Sequence, residues 1–225
     1  EIGAALKFLS NVDLVWGWNI FTREVVIAGW IGCSVLIVLY LLGVFRFAHD
    51  SESKHIGLVG ALNALLFTTM SFYLLTGLFG ARLGEIESFL PPAKESVTSS
   101  SGETSKNGEL TWITNDYQAA LERAKSENKR IFVDYTGYTC TNCRWMEANM
   151  FTKPEVRKEL EKFVRVRLYT DGDGEPYQGF QRMQEQRFGT VALPLYAIVT
   201  PGDEVVATFA GLTRDQSEYI AFLRK

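Results

Sequence analysis

Apolar and polar positions divide the chain into two parts with different rhythms. Residues 25–45, "VVIAGWIGCSVLIVLYLLGVF", carry no charge, and residues 56–81 form a second uncharged run. At about 1.5 Å of rise per residue, each run can cross a hydrocarbon core about 30 Å thick, so each predicts a transmembrane helix. The second run is richer in Gly, Ser and Thr, as in a helix that packs against neighbours. The loop between them, 46–55, is short and predicts an antiparallel α-helical membrane hairpin. Arg46 and Lys54 bias that loop to the cytoplasmic side, a bias that Arg23 and Arg82 on the outer flanks weaken, and with it both flanks are expected outside the cytoplasm. Segment 1–24 is moderately apolar, with Trp16 and Trp18 near the boundary, and is expected to lie on the membrane surface.

Beyond residue 90 the rhythm changes. Residues 91–108, "PPAKESVTSSSGETSKNG", are Ser, Thr, Gly, Pro and charge with one apolar valine, the composition of a flexible tether. From 109 to 225, helical and strand patterns alternate. "NDYQAALERAKSENK" predicts a helix burying Tyr117, Leu121 and Ala124 with Thr114 or Asn115 as its N-cap. "RIFVDYTG" predicts a buried strand, followed by a helix from the cysteine pair to about Met150. Pro154 opens a further helix, and "FVRVRLYT" alternates as a strand. "YQGFQRMQEQRFG" is helical with Gly189 as its stop. "PLYAIVT" and "EVVATFAG" flank a Pro-Gly-Asp turn as a hairpin, and a last helix closes the chain. The order is α-β-α-β-α-β-β-α, an α/β domain on a two-helix membrane part.

Charge and composition then narrow the function classes. The formal net charge is −3, and neither part is basic enough for a nucleic-acid surface. The chain starts at Glu1 with no basic segment leading a short apolar stretch, so no signal peptide is read, and a piece of a longer protein is expected. Three cysteines, Cys33, Cys140 and Cys143, are too few for a disulfide-stapled scaffold. Cys33 sits alone mid-span and reads as a small apolar residue. His49 and His55 read as interfacial loop residues, since no third ligand accompanies them.

The candidate chemistry is in "GYTCTNCRWME", residues 137–147. A CxxC pair between a strand and a helix places Cys140 at the helix N-terminus, where unsatisfied N–H groups favour a thiolate. Cys143 lies one turn on and is more enclosed, so Cys140 reads as the nucleophile and Cys143 as the resolving thiol. Asp134, inside an apolar strand, and Glu147, one turn past Cys143, are candidates for proton transfer and for tuning the thiol pKa. Two acids beside the dithiol would oppose the helix dipole and favour a reductant. Pro194 begins a strand; the residues alone favour a plain strand-start proline over a cis one. "DGDGE" at 171–175 lacks the spaced oxygen ligands of a calcium loop and reads as a turn. The alternative is a soft-metal module, copper or zinc, on the same two cysteines, although 109–225 offers neither a third cysteine nor a histidine.

These residues carry a family resemblance. "FVDYTGYTCTNC" and "ALPLY" are similar to a thioredoxin-like domain. "CTNCRWMEANMF" with "PEVRKEL", together with the two spans and "LKFLSNVDLVWGW" ahead of them, resembles the C-terminal part of the thiol:disulfide interchange protein DsbD family. The resemblance implies a thioredoxin-like α/β domain with a central mixed β-sheet and a redox-active Cys140–Cys143 disulfide without a bound cofactor. It implies that Asp134 and Glu147 match the acids around the dithiol, and that Pro194 matches a cis-proline lining the substrate groove. It also implies a bacterial inner-membrane protein whose periplasmic domain takes electrons from a membrane-domain dithiol, ultimately from a cytoplasmic thioredoxin system. Those electrons would pass to periplasmic disulfide proteins of the isomerase or cytochrome c maturation pathways. Cys33 does not match the family's membrane cysteines, so this chain is expected to lack the N-terminal domain and the earlier spans.

Overall fold

Each uncharged run becomes a helix whose polar side chains are satisfied from within. The structure, a computed structural model, describes residues 2–45, 56–91 and 110–225. It divides into two compact units, Glu1–Ile86 and Glu87–Lys225. The loop 46–55, with His49 and His55, and nearly all of the tether 91–108 lie outside the described residues.

In the first unit α1 (Ile2–Trp16) is followed by α2 (Arg23–Leu41) and α3 (Leu58–Leu78). Both α2 and α3 are long and apolar enough to cross a membrane. They are shorter than the uncharged runs. The first stops at Leu41 because the chain turns through Gly43, at a φ of 74° that favours glycine. Ser34, Thr68 and Ser71 donate their hydroxyls to the carbonyls four residues back, so these polar groups need no partner outside the helix. Arg23, at the start of α2, donates to the carbonyls of Gly77 at 2.8 Å and Ala81 at 3.2 Å, at the end of α3. The two helices are therefore antiparallel. Segment 1–24 is a helix and a capped turn: Asp13 accepts from the amides of Ile20 and Phe21.

In the second unit the strands are β1 (Ile113–Thr114), β2 (Ile131–Thr136), β3 (Val164–Tyr169), β4 (Leu195–Val199) and β5 (Val205–Ala210). They form one sheet in the order β1-β3-β2-β4-β5, parallel from β1 to β2 and antiparallel beyond. The helices are α4 (Tyr117–Glu127), α5 (Thr141–Trp145), α6 (Pro154–Leu160), α7 (Tyr177–Phe188) and α8 (Gln216–Leu223). Asp116, not Thr114 or Asn115, caps α4: it starts the helix and accepts from the Ala119 amide. Asn115 instead accepts from the Tyr169 amide across the sheet.

The strand period of two places the site. Ile131, Val133 and Tyr135 join Val164, Val166 and Leu168 in one core with α4. Phe132 and Tyr196 join Met146, Met150 and Tyr219 in the core on the opposite face. Asp134 and Thr136 alternate with the first set, so they share the second face with Phe132. The helix carrying the cysteines covers that face.

Candidate active site

Strand β2 ends at Thr136, and the chain turns through residues 137–139 into α5. The turn hangs on one carboxylate. Asp171 accepts from the Tyr138 amide at 2.7 Å, the Thr139 amide at 2.9 Å and the Thr139 hydroxyl at 2.9 Å. A Cβ at Gly137 would lie 2.7 Å from Asp171 Oδ2 and 3.1 Å from Leu193 Cδ1, so only glycine allows this approach. The "DGDGE" segment is thus a turn whose first residue anchors the cysteine loop, a role not read from sequence.

Cys140 is the N-cap of α5, and its Sγ accepts from the Cys143 amide at 3.2 Å. The two cysteines are disulfide-bonded, with Cα atoms 5.3 Å apart. Cys140 is half-buried, whereas Cys143 is only 1% exposed. The helix does not run regularly to Met150. After Trp145 it widens into a π-helical turn, Met146–Met150, with the Phe151 amide bonded to the Met146 carbonyl at 2.9 Å. Such wide turns often occur at functional sites. Among the residues of this one, Glu147 comes back over the end of β2.

There it meets buried charge of both signs. Arg144, 5% exposed, donates to Glu147 Oε1 at 2.7 Å and to Thr136 Oγ1 at 3.0 Å. Arg167 on β3 places its Nε 3.3 Å from Asp134 Oδ2 and 3.6 Å from Glu147 Oε1. Arg167 also lies over the Trp112 ring, and Arg144 over that of Tyr169. Tyr169 stacks in turn on Tyr138, with ring centroids 4.0 Å apart. Burial pushes Asp134 up to about 7, against the pull of Arg167 and with a further push from Glu147. Burial is the largest of these influences, and among the described residues Asp134 Oδ1 has no hydrogen-bond partner. Each of the two acids expected beside the dithiol also faces an arginine, Asp134 with Arg167 and Glu147 with Arg144, so the charge there is of both signs.

Sequence reasoning missed Arg144, Arg167, Thr136 and Asp171. Arg167 was within reach: in "VRVRLYT" the arginines alternate with valines, and alternation puts Arg167 on the face opposite the valine core. The pairing register, Asp134 with Arg167, was not. Glu147 is paired and largely enclosed, not on a solvated face. The Leu193–Pro194 bond is cis, as the resemblance implies and unlike the plain strand-start proline that the residues alone favour. Pro194 is buried, and its carbonyl accepts from the Gly211 amide at 2.8 Å. Leu193, its neighbour, abuts Gly137, so this loop lies against the cysteine turn. Cys33 is a free, half-buried cysteine in α2. Among the described residues, no group of three His, Cys, Asp or Glu side chains could hold a metal ion.

Residues 112–201 match the family model described as thioredoxin-like. The domain is thioredoxin-like. Its Cys140–Cys143 pair is the redox-active disulfide of that fold. The thiol:disulfide interchange protein DsbD 2 of Pseudomonas aeruginosa is 25% identical over 148 residues, covering 64% of this chain and 24% of that protein. This relative supports the DsbD resemblance carried by the motifs, although the chain spans only about a quarter of its length. The reduced C-terminal domain of Neisseria meningitidis DsbD is 17% identical over 50% of this chain and 98% of its own, with a TM-score of 0.40. A thioredoxin from Thermus thermophilus is 22% identical over 51% of this chain and 86% of its own, with a TM-score of 0.43.

Proposed function

We propose that this chain is a membrane-tethered protein-disulfide reductase, with Cys140 as nucleophile and Cys143 as resolving thiol. The observation that carries the reading is the asymmetry of the pair: a half-exposed sulfur capping a helix, joined to a buried one. In the reduced enzyme the Cys140 thiolate attacks one sulfur of a substrate disulfide, and the other sulfur leaves as a thiolate that takes up a proton. Cys143 then loses its proton and attacks Cys140. The Cys140–Cys143 disulfide forms and the second substrate thiol is released. Two electrons and two protons pass to the substrate. Asp134, set near neutrality by burial, is suited to take the Cys143 proton, and Glu147 with its arginine partners tunes the charge around it. Pro194 and the loop before it, whose Leu193 abuts Gly137, would line the substrate groove that the family resemblance implies.

The source of electrons is a membrane-domain dithiol outside this chain, fed from a cytoplasmic thioredoxin system. The recipients are periplasmic thiol–disulfide proteins of the isomerase or cytochrome c maturation pathways. The DsbD relative suggests a multi-pass protein of the bacterial inner membrane with this domain in the periplasm, and two helices long and apolar enough to cross a bilayer are compatible with that reading. The test is trapping. The reduced full chain carrying Cys143→Ser should accumulate a mixed disulfide through Cys140 with an oxidised protein, and Cys140→Ser should abolish reduction. Undiminished reduction by Cys140→Ser overturns the assignment.

A further inference from the structure

Helix α7 holds a residue that breaks its own pattern. Phe180, Gln184 and Phe188 recur every four residues, the spacing of one helix face. Phe180 and Phe188 pack against the sheet core. Yet the residue of α7 that is buried is the glutamine, 0% exposed. An amide at such a position lowers stability unless its polar atoms are paired, and among the described residues Gln184 Oε1 has no partner. A local rule broken in this way points to a functional constraint.

Among the described residues the amide makes one bond, and that bond identifies the constraint. Gln184 Nε2 donates to the Ala192 carbonyl at 2.9 Å, two residues before Pro194. The Ala192 amide donates to Thr190 Oγ1 at 3.1 Å, and the Pro194 carbonyl accepts from Gly211. Residue 193 is therefore held on both sides. Among the described residues its own N–H and carbonyl make no hydrogen bond, and its side chain touches the Gly137 turn that leads into Cys140. An open peptide group on a fixed loop pairs readily with an extended chain, as an added strand pairs with a sheet edge.

We propose that Gln184 is a positioning residue for protein substrates. By holding the Ala192 carbonyl it fixes the Leu193 backbone, along which an extended peptide bearing the target disulfide aligns beside Cys140. The proposal rests on the reductase reading and adds to it a residue remote from the sulfurs. It separates substrates by class: a polypeptide disulfide needs the fixed edge, and a small disulfide does not.

The test uses the pre-reduced full chain in single-turnover reactions with two probes, insulin and the aryl disulfide dithiobisnitrobenzoate. For Gln184→Leu, which keeps the volume and removes the donor, half-saturation by insulin should rise about tenfold, the effect of one lost hydrogen bond. The limiting rate with insulin and the rate with the aryl disulfide should stay within about twofold. Amide hydrogen exchange at residues 192 and 193 should quicken. Unchanged half-saturation by insulin overturns the proposal. So does a parallel loss with both probes, which marks general structural damage. Gln184→Glu provides a second test. Its protonated acid can still donate to Ala192, so half-saturation by insulin should rise with pH in this variant and not in the parent; a flat profile overturns the proposal. A parent chain that reduces neither probe brings down the reductase reading and this proposal together. A parent that reduces the aryl disulfide but shows no saturable insulin reaction brings down this proposal alone.

Discussion

Asp134 and Arg167 face each other across parallel strands β2 and β3, with Arg167 Nε 3.3 Å from Asp134 Oδ2 and both side chains almost wholly buried. The pair sits beneath the helix that carries Cys143 and Glu147, so the charge around the dithiol belongs to a set of groups of both signs.

Asp134 makes stability depend on pH. Its ordinary value is 3.8, and burial raises it to about 7 in the folded chain. Between those values the folded state holds a proton that the unfolded state has released, so unfolding free energy falls as pH rises from about 4 to 7. Urea denaturation of the oxidised chain should show this slope, and Asp134→Asn should remove most of it. An equal slope in the variant would place the titration elsewhere.

Arg167→Leu leaves Asp134 without its near cation and Glu147 with Arg144 alone. Removing one partner of a buried pair typically costs about 3–5 kcal/mol, which denaturation should register. The loss of positive charge also disfavours a thiolate in the reduced state. Equilibration against a dithiothreitol buffer should show a potential more negative by on the order of 30 mV, a tenfold change in equilibrium constant.

Asp171 anchors the cysteine turn through three hydrogen bonds, two of them to backbone amides. Asp171→Ala should lower stability by about 1 kcal/mol, since three part-buried or exposed donors of the turn lose their shared acceptor and can turn to water. It should also slow insulin reduction and the aryl disulfide reaction alike, because the sulfur itself is displaced. Gly137→Ala should do the same by a different route, its Cβ meeting Asp171 Oδ2 at 2.7 Å.

In the first unit Arg23 donates to two carbonyls at the end of α3. Arg23→Leu should lower the thermal unfolding midpoint of the detergent-solubilised chain and leave the dithiol potential unchanged. A shifted potential would show that the hairpin acts on the cysteine site.

The elements that periodicity alone can reveal were legible: two long apolar helices, the strands flanking the cysteines, Pro154 opening α6 and Gly189 closing α7. These depend on neighbours within a turn or two of the chain. The cysteine motif was legible for the same reason, because a strand, a turn and a helix N-terminus are contiguous in sequence.

What only the tertiary structure decided is everything set by register between distant segments. That Arg167 rather than Arg165 meets Asp134 depends on a parallel pairing across 33 residues, which no local pattern encodes. Asp171 reaches Tyr138 across a comparable separation, and Gly137 is required only because that carboxylate closes in on it. The π-turn that brings Glu147 to Arg144 follows from packing over the sheet, since nothing in "MEANM" requires a widened helix. Local sequence therefore placed the two sulfurs, and long-range packing chose the charges that surround them.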